Sequence, residues 1–168
     1  MRWLPGPGMP GAAFHAPLGR RRETESVMQE VVTFLNFDGN CREAMEFYKK
    51  CFSAELYLLP FAEAPGDPAW KAKEVKDRIM HSSLSKGLLT LLMAADIMPG
   101  MSFQPGGNFS AAIQCESLQE IDELFNALGE NGTIAMPLQE TFWAARFGML
   151  TDQFGVRWLL NLGKPPQG

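Results

Sequence analysis

The chain has 168 residues, of which 46% are hydrophobic, and a formal net charge of -4 at pH 7. This apolar content is enough for one domain with a buried core, and the scattered Lys and Arg argue against a nucleic-acid partner. Cys41, Cys51 and Cys115 have neither disulfide-framework nor zinc-motif spacing, which predicts a reducing, cytoplasmic setting. No apolar run is long enough to span a bilayer, so we expect no membrane partner.

The first 27 residues differ from the rest in composition. Prolines and glycines crowd between Pro5 and Pro10, and three arginines follow at residues 20–22. Such a segment buries too little surface to offset its ordering entropy, so we predict a disordered leader over residues 1–27. Helix breakers interrupt any apolar segment, which excludes a secretory signal. One alternative is a transit peptide, because no acidic residue precedes Glu23. Another is that the segment upstream of Met28 is an extension with no role.

The first predicted module, residues 28–98, has the order strand, helix, strand, strand, strand. Asn40 and Glu43 are predicted to cap the start of its helix. Residues 61–76 are predicted to form an inserted loop, because the segment contains an Ala-Pro-Gly-Asp-Pro run. The predicted strands are residues 31–37, 55–59, 77–84 and 88–95. The apolar stripe of the helix consists of Ala44, Phe47, Tyr48, Cys51 and Phe52.

A second module, residues 108–163, follows a linker over residues 99–107 and precedes a tail over residues 164–168. A shift of 77 positions places residues 43–48 on residues 120–125, which indicates a duplicated unit. Ser117 and Glu120 form a capping box for the second helix. The predicted strands are residues 109–115, 133–139, 145–151 and 156–161, and the helical stripe consists of Ile121, Leu124, Phe125 and Leu128. The duplicated order predicts an α+β fold of two βαβββ modules.

Two segments, residues 37–48 and residues 136–158, carry a family resemblance. In the second, Asp152 and Gly155 mark a turn between two paired strands. The chain resembles the PhnB-like branch of the vicinal oxygen chelate superfamily, which includes glyoxalase I, bleomycin-resistance proteins and extradiol dioxygenases. Members of that branch are often labelled after a demethylubiquinone methyltransferase. The resemblance implies paired half-barrel sheets with a concave site, and we expect a homodimer that covers exposed edges and faces.

The resemblance also implies where a divalent metal would bind. In the superfamily, His, Gln or Glu side chains from the first and last strands of each module hold it. The corresponding positions here are Thr33 or its neighbours Val32 and Phe34, Leu92 or Met93, Phe109 or Ser110, and Trp158 or Leu159. None is a histidine or a carboxylate, so we expect no metal and no other cofactor. A metal-dependent lyase or dioxygenase with non-standard ligands is the alternative.

His81 and Glu140 are the candidate catalytic residues. His81 is the only histidine outside the leader, and on the third strand it suits a general base. The competing interpretation is a hydrogen-bonded strand histidine without a chemical role. Glu140 suits an acid, a base or a lone ligand, and its competing interpretation is a solvated carboxylate at a strand end.

The candidate substrate-binding residues are Gln139, Trp143, Phe147 and Trp158, which accompany Glu140 in the last hairpin. Aromatic residues with a few polar groups are typical of small-molecule pockets, although they also form cores and interfaces. Arg146 and Asp152 would orient a polar ligand or form a surface ion pair. No glycine-rich cofactor turn follows a strand, which argues against methyl transfer. Two hypotheses remain: an enzyme, and a module that binds a small, partly apolar ligand.

Overall fold

The computed structural model describes residues 31–104, 106 and 108–165, so the predicted leader lies outside the described residues. The duplicated strand and helix order of the sequence is confirmed. The elements are β1 (Thr33–Phe37), α1 (Cys41–Phe52), β2 (Glu55–Pro60), β3 (Ile79–Lys86), β4 (Leu89–Asp96), β5 (Ala111–Cys115), α2 (Leu118–Leu128), β6 (Thr133–Gln139), β7 (Ala144–Thr151) and β8 (Arg157–Gly163). Among the described residues, no helix has the length and apolarity needed to cross a membrane.

Each module contributes one four-stranded sheet, and the two sheets have the same topology. Sheet 1 has the order β1-β4-β3-β2, and sheet 2 has the order β5-β8-β7-β6. In both, the first strand runs parallel to the last strand of its module, while the other neighbours are antiparallel. Each module thus forms the same mixed parallel and antiparallel sheet, which is the predicted α+β, glyoxalase-like architecture.

The two helices begin differently. At α2 the predicted cap is confirmed: Ser117 Oγ accepts a hydrogen bond from the Glu120 backbone N–H at 3.1 Å. At α1 the predicted cap is wrong, because Asn40 makes no side-chain cap bond. The buried carboxylate of Asp96, at the end of β4, instead accepts bonds from the backbone N–H groups of Gly39 at 2.8 Å and Cys41 at 3.0 Å. The start of α1 is therefore fixed by a residue 55 positions away.

The inserted segment between β2 and β3 is not structureless. It contains two short 3-10 turns, Phe61–Glu63 and Pro68–Lys71. The ring of Phe61 packs against that of Trp70 with centroids 5.6 Å apart. The second module has no counterpart of this segment, so it is the main departure from the internal repeat.

Both helices lie on the inner faces of the sheets. Ser82 of β3 points towards α1, with its Oγ 3.7 Å from Cys41 Sγ. Gly148 of β7 faces α2, since a Cβ there would lie 2.7 Å from the Phe125 ring. The α1 helix also reaches sheet 2, because the ring centroids of Tyr48 and Trp158 are 5.6 Å apart. The protein is thus layered, and α1 contacts both sheets.

Asp152 joins the two modules. Its side chain is 4% exposed, and its Oδ2 accepts hydrogen bonds from the Tyr48 hydroxyl at 2.7 Å and from Trp158 Nε1 at 2.8 Å. Its Oδ1 accepts the backbone N–H groups of Phe154 and Val156. The predicted Asp152–Gly155 turn is confirmed, with Gly155 at φ +85°. One carboxylate therefore fixes the β7–β8 turn and holds α1 against it.

We predict that Asp152→Ala lowers the free energy of unfolding by about 3 kcal/mol or more, because it leaves buried donors without an acceptor. Urea unfolding followed by tryptophan fluorescence measures this change. The control is Asp67→Ala, which removes a single exposed bond to the Ala69 backbone N–H and should cost about 1 kcal/mol or less. A similar small loss for both variants would contradict the assigned role of Asp152.

Candidate functional site

The outer face of sheet 2 carries a row of polar side chains around one aromatic ring. The strand register aligns Gln139, Phe147, Asn161 and Gln114 across β6, β7, β8 and β5. Side chains alternate along a strand, so these residues face away from α2, opposite to buried Leu160 and inward-facing Gly148. Asn161 Nδ2 donates to Gln114 Oε1 at 2.7 Å. This hydrogen bond fixes two of the three amides.

Beside this row lies the aromatic cluster, which we define as Phe142, Trp143 and Phe147. The ring centroids of Phe142 and Trp143 are 4.6 Å apart, and those of Trp143 and Phe147 are 5.6 Å apart, both edge-to-face. Phe142 is 89% exposed and Trp143 is 50% exposed. Large aromatic surfaces left in water beside hydrogen-bonding amides are typical of a binding surface.

The outer face of sheet 1 carries a second row. Tyr57, Ser83, Met93 and Phe34 are aligned across β2, β3, β4 and β1. His81 lies two residues before Ser83 on the same face, and its ring centroid is 6.5 Å from that of Phe34. Phe34 is 48% exposed, so this face also presents an uncovered aromatic ring.

The structure separates the predicted site residues into two groups. His81 lies on the outer face of sheet 1, whereas Phe147 and Gln139 lie on the outer face of sheet 2. The two groups therefore lie on different sheets of the chain.

Trp158 lies apart from the aromatic cluster with which it is predicted to bind a ligand. It is 2% exposed, its indole N–H is bonded to Asp152, and its ring packs against Tyr48 and Phe52. In the register it pairs with Leu150, on the inner face, so it does not join Phe147. The sequence pattern missed this because an aromatic residue on an alternating strand suits either face until its partner is known.

Other polar candidates also have structural partners. Lys164 Nζ lies 2.8 Å from Glu140 Oε1, and this hydrogen bond and charge lower the pKa of the Glu140 carboxyl. A carboxyl with a lowered pKa is ionised at neutral pH, which disfavours it as a general acid. Arg146 forms an ion pair with Asp122 of α2 at 2.7 Å, so it faces the helix. The predicted surface pairing of Asp152 is wrong, because that carboxylate is buried.

The positions expected to hold a metal have no suitable donors. Thr33 pairs with Leu92, and Trp158 pairs with Ala111, the residue that follows the expected positions Phe109 and Ser110. Within residues 31–104, 106 and 108–165, no group of three or more His, Cys, Asp or Glu side chains is arranged to hold a metal ion.

Asn161, Gln114 and Phe34 are site candidates that the sequence analysis did not identify. Alternation along β8 and β5 would place the two amides opposite the buried apolar residues. Their contact depends on the parallel register of β5 and β8, which is set by the crossover through α2 and is not visible in the local sequence.

The model of the 3-demethylubiquinone-9 3-methyltransferase family matches residues 29–161, so the chain belongs to that family. Its predicted place in the PhnB-like branch of the vicinal oxygen chelate superfamily is confirmed.

Three relatives illustrate the similarity. The protein YjdN of Escherichia coli is 33% identical over 139 residues, which cover 78% of this chain and 93% of YjdN. The crystal structure of protein PA1353 from Pseudomonas aeruginosa has 40% identity and a TM-score of 0.73, covering 82% of this chain and all of that one. A putative 3-demethylubiquinone-9 3-methyltransferase, the PhnB protein from Bacillus cereus, has 29% identity and a TM-score of 0.62. The match covers 80% of this chain and 100% of the Bacillus cereus chain.

The three cysteines lack the features of nucleophiles. Burial is the main cause that raises the pKa of Cys41 to about 12 and those of Cys51 and Cys115 to about 11. At Cys51 the carboxylates of Asp152 and Glu130 raise the pKa further. The thiolate is the reactive form, so these thiols are poorly reactive at neutral pH.

We predict that iodoacetamide at pH 8 labels all three cysteines at least ~100-fold more slowly in the folded protein than in urea, because a thiol pKa two units higher leaves ~100-fold less thiolate. For Cys51 and Cys115 the folded-state rate should rise about tenfold per pH unit until pH 11. Peptide mass spectrometry measures each site. A cysteine that labels in the folded protein as fast as in urea would contradict this account.

Proposed function

We propose that this protein binds, or transforms without a metal, a small and partly apolar molecule at the aromatic cluster. The observation that carries the proposal is the exposed edge-to-face stack of Trp143 and Phe147 beside the amides of Gln139 and Asn161. Aromatic rings supply contact area for an apolar or aromatic ligand, while the amides fix its orientation through hydrogen bonds.

The proposed site is completed by a second copy of the chain. One sheet face alone encloses little of a ligand, and the exposed Phe34 and Tyr57 on sheet 1 are apolar surface that a partner would cover. In a homodimer, the outer face of sheet 1 from one copy lies over the aromatic cluster of the other. This arrangement brings His81 to the ligand, and two copies form two equivalent sites.

Two functions of this site differ in what His81 does. As an enzyme, the protein would use the imidazole to take a proton from the ligand or return it. As a binding module, the protein would sequester an aromatic or cationic compound on the rings, and His81 would only line the pocket. A cytoplasmic location suits both functions, because the described cysteines are free thiols.

The alternative function is that of a metal-dependent lyase or dioxygenase in which non-standard side chains bind the metal. Elemental analysis of the purified protein decides between the two proposals. One zinc, nickel, manganese or iron ion per chain that is lost in His81→Ala would favour the metal-dependent function. Methyl transfer needs a cofactor site, and in the described residues the turn after β1 contains a single glycine, Gly39, before α1.

We predict that Trp143→Ala weakens binding of the ligand by about tenfold or more, because it removes the central ring of the cluster. A thermal-shift screen of aromatic and cationic compounds identifies ligands, since a ligand that binds only the folded state raises its stability by mass action. Calorimetry then measures affinity for each variant. The control is Leu118→Ala, an exposed apolar residue on α2 that should leave affinity unchanged.

His81→Ala separates the two functions. If the protein is an enzyme, turnover of the ligand falls about a hundredfold while affinity changes little. If it is a binding module, the recovered ligand is chemically unchanged and affinity stays within a few-fold. Ligands whose affinity is insensitive to Trp143→Ala would contradict the proposed site altogether.

A further inference from the structure

A cleft of about 1160 Å³ opens beside the two helices. It lies between α2, the C-terminal end of α1 and the adjoining strands β1, β4 and β5. Protein interiors contain few voids larger than a water molecule. A space of this volume exceeds a packing defect and is as large as a small-molecule site.

The internal repeat accounts for part of this space. At an offset of 77 residues, Phe47 of α1 corresponds to Leu124 of α2, and both side chains line the cleft. The Phe47 ring packs against Phe154 with ring centroids 5.5 Å apart. Leu124 is the smaller of the two side chains, so it fills less of the layer beside α2.

The walls of the cleft combine an apolar floor with an acidic rim. Six apolar residues form the floor: Phe47, Phe52, Leu92, Ile113, Leu124 and Trp158. Four glutamates, Glu116, Glu120, Glu123 and Glu130, and two lysines, Lys50 and Lys86, line the rim. The Lys86 ammonium donates to the Phe52 carbonyl oxygen at 3.2 Å, which holds it near the end of α1. Because carboxylates outnumber ammonium groups, the net charge of the rim is negative and attracts a cation.

Glu123 and Glu130 are the carboxylates best suited to meet a ligand. Glu120 Oε2 already accepts a hydrogen bond from the Glu116 backbone N–H at 2.8 Å. Glu123 accepts one bond from Gln119, through Oε1, and a carboxylate can accept several more. The charge of Glu130 acts on Cys51, which itself lines the cleft. A cation near Glu130 would therefore lie beside a residue that reports on occupancy.

We propose that this cleft is a second ligand site, which takes a small amphipathic cation. The apolar body of the ligand lies on the floor near Leu124, and its protonated amine lies at the rim between Glu123 and Glu130. This site is independent of the proposed function, because it shares no residue with the aromatic cluster.

The test compares three probes with the same ten-carbon chain: decylamine, decanol and decanoic acid, each titrated into the full chain by calorimetry below micelle-forming concentrations. The expected result is one decylammonium ion per chain, bound at least about tenfold more tightly than decanoate, which corresponds to about 1.4 kcal/mol. The double variant Glu123→Gln/Glu130→Gln should bind decylamine about tenfold more weakly and decanol unchanged. The matched charge control, Lys50→Gln, should not weaken the amine.

Leu124→Phe tests the location by placing the phenylalanine of α1 at its counterpart on α2. It should abolish decylamine binding while leaving the thermal midpoint unchanged or higher, because the new ring fills empty volume. Trp143→Ala should leave decylamine binding unchanged, which separates this site from the aromatic cluster. If Leu124→Phe fails to fold, wild-type protein supplies the same test: decylamine should slow alkylation of Cys51 at pH 9.

Three results would overturn the proposal. Equal affinity for the three head groups would show that charge plays no part. Decylamine affinity that persists in folded Leu124→Phe protein, or unprotected Cys51 at saturating decylamine, would place binding elsewhere. Absence of any calorimetric signal would show that the cleft takes no amphipathic cation.

Discussion

The buried carboxylate of Asp152 is the contact on which the arrangement of the two modules depends. Isolated burial of a charge is costly, but here each oxygen accepts two hydrogen bonds, from the Tyr48 hydroxyl, an indole N–H and two backbone N–H groups of its own turn. Burial and the adjacent carboxylate raise the pKa of the Tyr48 hydroxyl well above its usual value, so Tyr48 stays a donor at ordinary pH. The bond therefore holds α1 of the first module on the second.

Two separate regions of the chain offer surfaces for a ligand. His81 lies on sheet 1 and the aromatic cluster on sheet 2, and the proposed site combines the two from different copies. The cleft beside α2 is lined by Leu124, which is smaller than its counterpart Phe47 on α1.

The sequence predicts what depends on neighbours along the chain, and it fails where distant partners decide. The strand and helix order, the Ser117 cap and the Asp152–Gly155 turn are local features, and all are observed. The start of α1 was assigned to Asn40, but the donors there bond to Asp96, far away in sequence. The sequence likewise predicts Asp152 at the surface or beside a ligand, and Trp158 beside the aromatic residues of the last hairpin, because nothing near them in the sequence reveals Tyr48 as their partner.

The central claim, that the two outer faces meet across two copies, is tested most directly by photo-crosslinking. Benzoylphenylalanine in place of Phe34 puts the probe on the outer face of sheet 1 with an aromatic side chain of similar shape. An equal mixture of normal and heavy-nitrogen-labelled protein then distinguishes links between copies from links within one. The account predicts crosslinked peptides that join one heavy and one light copy, with position 34 attached to β7 or β8. Crosslinks to sheet 2 found only within a single copy, or none to sheet 2, would contradict it.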